Sequence, residues 1–587
     1  MHVIGMQITT NKNSPTVDLC AVNRLEMRSG QNDNKLFLWS SLKKYFYYTS
    51  LIVLWLSAHA FVACAIYQDF KKSIAVLSAL ALLDLYLIYN FVVVSFYKNT
   101  LLERFCVEVT LKATSLDNFK YKNLVKIGAI LLFAGGVIAW LAIDTRGDRI
   151  RLRSLSGMFA FIIMAFICSA NPSRIKWHPV VGGLILQFCV GLLVLRWSAG
   201  NVVIKFVADQ AVVFLDFATV GAKQIYGFIS EMPDICGIRT VFIFTSLQII
   251  IYFGAVVSVL YYYGVIQAVL SRIAWFMQHT IGTTAAESLN AAACIFLGQT
   301  EAAILVEPAL ISMTDSEIHS IMTAGYACIA GSLFAAYIAF GACPTYLFSA
   351  TVMSAAVSLS ISKIVYPETQ KSTQKNAREF KFAQREATNV LECVSNGAVH
   401  SAKFVWAIGA NLVVYTALLY LANAIITYFG GLIGIADLTF NKILGYAFFP
   451  LAYLMGVSDA KKPEIEIHET LKVAELMGMK TVLNEFMAYQ RLSEMVLRKE
   501  LVGKRAIMMA TYALCGFSNI SMIGSQIGIL SSMCPERKSS FSKVAVRGLI
   551  SGIFSCFITT CVAGVLVENP DSCSSITHAA KCLNTSI

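Results

Sequence analysis

The chain has 587 residues, of which 57% are hydrophobic and only 14% charged, against roughly 45–50% and about 25% in soluble globular proteins. With a mean hydropathy of +0.65, it has too few charges to solvate the four or so domains that roughly 150 residues per domain would suggest. This composition excludes disorder and collagen and points to a membrane protein. The net charge of +12 is spread along the chain, with no long basic block interleaved with aromatics, so nucleic-acid binding is not expected.

Residues 1–45 are polar and lack a basic region followed by an apolar core, so they read as a cytoplasmic N-terminal region and not as a cleavable signal peptide. Crossing a hydrocarbon core of ~30 Å takes about 20 apolar residues. Runs at 46–66, 74–96 and 124–142 meet that length, and the first two place additional transmembrane helices in 46–123. Further apolar runs fall at 157–170, 180–195, 240–263, 321–340, 404–429, 507–530 and 544–567. Asp84 lies inside such a run without polar companions, which suits an incidental pairing better than a site.

Between 201 and 228, Lys205, Asp209, Asp216 and Lys223 interrupt apolar sequence at helical spacing. That pattern fits an interfacial amphipathic helix or a polar-lined span. The stretch 366–400, with Lys371, Lys375, Arg378, Lys381 and Arg385, reads as a connecting loop.

Arg537, Lys538, Lys543 and Arg547 against Glu536 make the segment before the last span cytoplasmic, which sends the tail at 568–587 outside and requires an odd number of spans. Arg146, Arg149, Arg151 and Arg153, crowded into 144–154, pull the other way. Most of the 16 cysteines lie in apolar runs and read as small buried hydrophobes. Cys573 and Cys582 differ: they follow the last span beside Asn584-Thr585-Ser586, which fits an extracellular tail with a disulfide and a glycan on Asn584.

The chemistry concentrates in 291–306. Each apolar arm around Gly298-Gln299-Thr300-Glu301 has six or seven residues, a reach of only ~10 Å at about 1.5 Å per residue. A re-entrant hairpin over about 285–310 would bring this tip inside the protein, where an amide, a hydroxyl and a carboxylate could grip a flat polar ligand. The alternative is a continuous helix with Glu301 paired to Lys or Arg. Downstream, Asn484-Glu485-Phe486 and Phe517-Ser518-Asn519 interrupt apolar sequence. Glu485 and Asn519 would suit sugar hydroxyls, although an intramembrane Asn also serves as interhelical glue. No transition-metal cluster, phosphate loop or nucleophile elbow is present, so an enzyme and an organic cofactor are not expected.

These residues resemble the concentrative nucleoside transporter family. The resemblance rests on Gly282-Thr283-Thr284-Ala285-Ala286-Glu287-Ser288, Gly298-Gln299-Thr300-Glu301 and Ile321-Met322-Thr323-Ala324-Gly325. It continues in Gly478-Met479-Lys480 with Asn484-Glu485-Phe486-Met487-Ala488-Tyr489, where Met487 replaces the usual valine, and in Ala510-Thr511-Tyr512-Ala513-Leu514-Cys515-Gly516-Phe517. The extra N-terminal helices and the tail are similar to the animal branch.

The resemblance implies an all-α polytopic membrane protein of about 11 transmembrane helices, two re-entrant hairpins and interfacial helices. The core would occupy 124–567, with a second hairpin at about 343–365 and substrate helices at about 470–500 and 506–530. It further implies a plasma-membrane homotrimer in which an elevator-type transport domain moves against a scaffold and carries nucleoside and cation by symport. Gln299, Thr300 and Glu301 would bind the nucleobase, Leu333 and Phe517 would pack on it or on the ribose, and Glu485 and Asn519 would hold ribose hydroxyls. Gly298 before Gln299 is similar to members of broad selectivity, so purine and pyrimidine nucleosides, adenosine and uridine among them, are both expected.

The cation site departs from that pattern. Sodium-coupled members carry Asn at the position of Cys294 and Thr or Ser at that of Cys328, beside backbone carbonyls at the positions of Leu297 and Ile329. Thiols are poor ligands for a hard ion, so a co-transported proton, through Glu301 or Glu485, stands beside sodium. Ser458 replaces a glutamate of animal members and Met522 a ribose-contacting serine, while Ser521, one residue away, is expected to point elsewhere on its helix. Uncoupled uniport and a non-translocating nucleoside sensor are the competing readings.

Overall fold

The structure is a computed structural model that describes residues 141–230, 241–370, 372, 387–432 and 438–570, with scattered positions between 49 and 140. The chain divides into two units, Met1–Ala139 and Trp140–Ile587. In the first, Asp84 accepts from Trp55 Nε1 at 2.8 Å and lies 2.9 Å from His59 Nε2, so this acid is indeed paired. Residues 1–45, most of 46–123, and Cys573, Cys582 and Asn584 lie outside the described residues.

Regular elements among the described residues of the second unit are all helical. It begins with α1 (Ile150–Ile167), α2 (Trp177–Gly191), α3 (Ser198–Tyr226), α4 (Ile249–Tyr262) and α5 (Val265–Ile281). Then come α6 (Ala285–Ala293), α7 (Gln299–Leu310), α8 (Asp315–Ala327), α9 (Phe334–Ala339), α10 (Pro344–Val365) and the 43-residue α11 (Val390–Leu432). The remainder is α12 (Phe440–Met455), α13 (Pro463–Val482), α14 (Glu485–Leu497), α15 (Lys504–Leu514), α16 (Ser521–Met533) and α17 (Lys538–Leu566). Among the described residues, six stretches are long and apolar enough to cross a bilayer: Ile150–Ile167, Trp177–Arg196, Phe242–Tyr262, Pro344–Val365, Val390–Leu432 and Pro535–Leu566.

The remaining helices are short because the sequence stops them. Two capping boxes restart the chain: Thr284 N–H donates to Glu287 at 3.0 Å before α6, and Thr314 and Glu317 exchange bonds of 2.8 and 3.1 Å before α8. At about 1.5 Å per residue, α6 and α7 rise only ~14 and ~18 Å, and neither spans alone. The break at 294–298 excludes the continuous-helix reading of Glu301.

Several expectations need correction. The run 343–365 is not a hairpin: Pro344 starts one unbroken helix, and its polar residues bond backward to their own turn, Ser349 Oγ to Tyr346 O and Thr351 Oγ1 to Leu347 O, both at 2.9 Å. The second pair of arms is instead α13 and α14, parted by Leu483-Asn484, where the Asn484 carboxamide oxygen accepts from Met487 N at 2.9 Å and starts a new helix. The runs 321–340 and 507–530 are likewise each split, at 328–333 and 515–520. The loop expected to reach residue 400 ends at Asn389, whose side chain accepts from Glu392 N at 2.9 Å and caps α11.

The crowded arginines of 144–154 are not all loop charges either. Arg151 is fully buried, donates to Val565 O at 2.9 and 2.6 Å, and pairs with Asp144 at 2.7 Å, closing the C-terminal carbonyls of α17. The expected amphipathic stretch 201–228 forms the single helix α3, with Ala208, Leu215, Ala218 and Ala222 buried along one face.

Candidate functional site

Four interruptions meet in the interior: the starts of α7 and α14, and the breaks between α8 and α9 and between α15 and α16. Phe517 N–H donates to Cys328 O at 3.3 Å, joining the two breaks, and Ile520 N–H donates to Thr481 O at 3.1 Å, joining the second break to the end of α13. Backbone bonds left open where a helix stops are thus closed by another interruption, as burial away from water requires. Gly516 makes this possible: its φ of +111° favours glycine, and a Cβ there would lie 2.7 Å from Ala327 O.

Polar side chains form a chain across this junction. Glu485 is fully buried and accepts from Asn519 Nδ2 at 2.8 Å and from the Tyr337 hydroxyl at 3.3 Å. Asn519 Oδ1 accepts in turn from Met522 N at 3.1 Å and from Ser521 Oγ at 2.5 Å. Gln299 Nε2 reaches Met522 Sδ at 3.2 Å, and its Oε1 is buried without a partner. Gly298 caps α7, and a side chain at that position would run into the Glu301 carboxylate. Gln299, Thr300 and Glu301 open the first turn of α7, and Glu485 is the first residue of α14, so both carboxylates lie at positive helix ends.

The structure therefore brings Gln299, Glu485 and Asn519 into one network and buries Phe517 and Leu333, 4% and 6% exposed, in the same core. Ser521 is a correction. It shares the helix with Met522 and points in another direction, yet its hydroxyl stays at the junction by donating to Asn519 Oδ1, just before the helix. Cys294, Leu297 and Cys328 are buried in one apolar cluster and Ile329 in its neighbour. Asn290, one turn before Cys294, donates to Ile321 O at 3.3 Å.

Sequence reasoning assigned no role to Tyr337, which carries no motif, or to Lys480 of the Gly478-Met479-Lys480 motif, fully buried with its ammonium donating to Ala513 O at 3.2 Å near the end of α15. Away from the tips, a cavity of about 330 Å³ adjoins the base of α6, where Glu287 pairs with Lys363 at 2.5 Å.

Polar groups gathered at broken helices within an apolar helical body define a membrane transporter. Three family descriptions match in chain order: Na+ dependent nucleoside transporter N-terminus at residues 156–229, Nucleoside recognition at 243–343, and Na+ dependent nucleoside transporter C-terminus at 346–564. Sodium/nucleoside cotransporter 2 of Rattus norvegicus is 38% identical over 528 residues, covering 88% of this chain and 76% of that protein. Sodium/nucleoside cotransporter 1 of Homo sapiens is 38% identical over 537 residues, covering 88% and 78%. The solved structure of CNTnw in an inward-facing substrate-bound state superposes with a TM-score of 0.66 at 31% identity, over 71% of this chain and 98% of that one. The chain belongs to the concentrative nucleoside transporter family, and it is a transporter, not an enzyme.

Proposed function

We propose that this chain carries nucleosides across the plasma membrane by symport with a cation. The observation that carries the reading is the buried Glu485 carboxylate, held at a helix start by Asn519 and Tyr337 and linked through Asn519 and Met522 to Gln299. A carboxylate and an amide suit ribose hydroxyls, and the amide of Gln299 with Thr300 and Glu301 suits the edge of a base. Leu333 and Phe517 supply apolar contact. In this reading the protein takes both purine and pyrimidine nucleosides, works as a homotrimer with elevator-like motion, and keeps its N-terminus cytoplasmic and its C-terminus extracellular.

The supporting observations divide on the ion. The relatives are named sodium/nucleoside cotransporters, whereas thiols at Cys294 and Cys328 leave a hard cation mainly the backbone carbonyls of Leu297 and Ile329. Uptake of radiolabelled uridine and adenosine, with sodium or choline outside and at acid or neutral pH, decides between them. Sodium dependence assigns the ion to backbone oxygens. Uptake that rises with acidity and ignores sodium assigns it to a proton. Indifference to both, without accumulation above the outside concentration, indicates uniport. No uptake by protein present at the surface would sink the transport reading and favour a sensor.

A further inference from the structure

The acceptor inventory of the site is incomplete without a residue that no motif singled out. Gln526 lies on α16, one turn beyond Met522 and so on the same face. It is 3% exposed. Its Nε2 donates to Met322 O at 3.4 Å, and its Oε1 is buried with no partner. Only the nitrogen of an amide can face a carbonyl, so the free end of Gln526 is its oxygen.

Gln299 is in the same condition: its nitrogen faces Met522 Sδ and its oxygen is unpartnered. Both side chains close on Gly325 of α8. A Cβ built there would sit 3.2 Å from Gln299 Cβ and 3.5 Å from Gln526 Cδ, so only glycine lets the two pack over this spot. From the break into α16 the order is Asn519, beside Glu485, then Met522, against Gln299, then Gln526. Gln526 therefore lies at the Gln299 end of the site, away from the carboxylate of Glu485.

A buried amide oxygen is costly to leave without a donor, and the two together call for a ligand edge rich in N–H donors. We propose that Gln526 is a base-recognising residue that, with Gln299, presents paired acceptors selecting nucleosides with an exocyclic amino group over their carbonyl counterparts. The inference rests on the transport reading above and names the substrate class of that site. An amino group offers two N–H donors, one for each oxygen, whereas the carbonyl counterpart brings a third acceptor against them and leaves a single donor, the adjacent ring N–H. Met522, unbranched and flexible, can move from Gln299 when a base enters.

The test compares kcat/KM for two pairs, cytidine against uridine and adenosine against inosine, which differ at this group and at the adjacent ring nitrogen, bare in the amino members and N–H in the carbonyl ones. It uses wild type and two variants of the full-length protein, Gln526→Met and Gln526→Glu, with surface amount measured. Wild type should favour the amino member by about tenfold, the size of one net hydrogen bond to a buried acceptor. Gln526→Met, of similar shape but without the oxygen, should lower that ratio at least about threefold. Gln526→Glu, of the same length, keeps an acceptor oxygen at this place and should retain the ratio. A purely structural role would lower uptake of all four nucleosides together in both variants and leave the ratios alone, and that result overturns the proposal. So does a wild-type ratio near one, which needs no variant to fold. A wild type that moves no nucleoside overturns the transport reading itself, a different outcome from uptake without selectivity.

Discussion

Helices α10 and α11 are both apolar enough to cross a bilayer, yet 89% of the most apolar window of α10 is buried within the protein and only 11% of that of α11. The hydroxyls of α10 are used internally: Ser349 meets the Tyr512 hydroxyl at 2.5 Å, Ser354 meets Thr559 at 3.2 Å, and Ser362 meets His319 at 2.7 Å. By contrast α11 turns Trp406, Val413, Val414, Leu418, Tyr420 and Leu421 outward, a face that needs lipid or another protein surface beside it. Hydropathy finds both helices but does not say which belongs to the body that holds the site. The polar residues do: a hydroxyl-rich apolar helix is satisfied by neighbours, and a helix with a bare aliphatic face is satisfied by the medium.

The largest effects should therefore fall at the helix breaks enclosed by the buried body. Glu485→Gln turns one of the two oxygens that accept from Asn519 and Tyr337 into a donor, which breaks one of those buried hydrogen bonds, and should lower uptake of uridine and adenosine at least about tenfold. Glu301→Gln should do the same, while Val413→Ala on the outer face of α11 should leave uptake unchanged. Normal uptake in both carboxylate variants would remove the site from these helix breaks.

A second effect separates the two regions by stability. At Gly516 an alanine would be strained by the positive φ, about 1–3 kcal/mol, and its methyl would meet Cys556 Sγ at 2.6 Å and Ala327 O at 2.7 Å. At Gly431 of α11 a Cβ meets nothing within 4 Å. Gly516→Ala should lower the melting temperature of the purified protein by several degrees and Gly431→Ala should not. Equal shifts would mean that the α15–α16 break is not held as described.

How far the site could be seen in advance follows from the same contrast. Gly298-Gln299-Thr300-Glu301 and Asn484-Glu485 were legible because glycine, a polar cluster and an N-cap residue announce a break wherever the chain places them. The position of the second pair of arms was nonetheless misplaced: the resemblance put it at about 343–365, where Pro344 starts one unbroken helix, and the Asn484 cap at the actual break was overlooked inside a run expected to form one helix. Tyr337 and Gln526 were invisible for a related reason. Each is one polar group in an apolar run, and only the fold shows what lies opposite it. The start of α11 was legible and overlooked, since Asn389 followed three residues later by Glu392 is a capping signal in the sequence itself.

The smallest expected effects sharpen the comparison most, because they reverse between the two regions. Asn389→Ala removes an exposed cap from α11 and should cost about 1 kcal/mol of stability, with KM for uridine unchanged. Ser521→Ala removes the hydroxyl that bonds Asn519 Oδ1. Asn519 keeps Met522 N as a donor, so no buried acceptor is stranded and stability should change little. What is lost is the second hold on the Asn519 carboxamide, whose nitrogen must stay aimed at Glu485. KM for uridine should rise a few-fold, by the order of 1 kcal/mol that one such hydrogen bond contributes. Thermal melts and uptake kinetics on the two variants test this together. If Ser521→Ala were to act through stability and Asn389→Ala through KM, the boundary between the body that binds and the helix that faces outward would have to be redrawn.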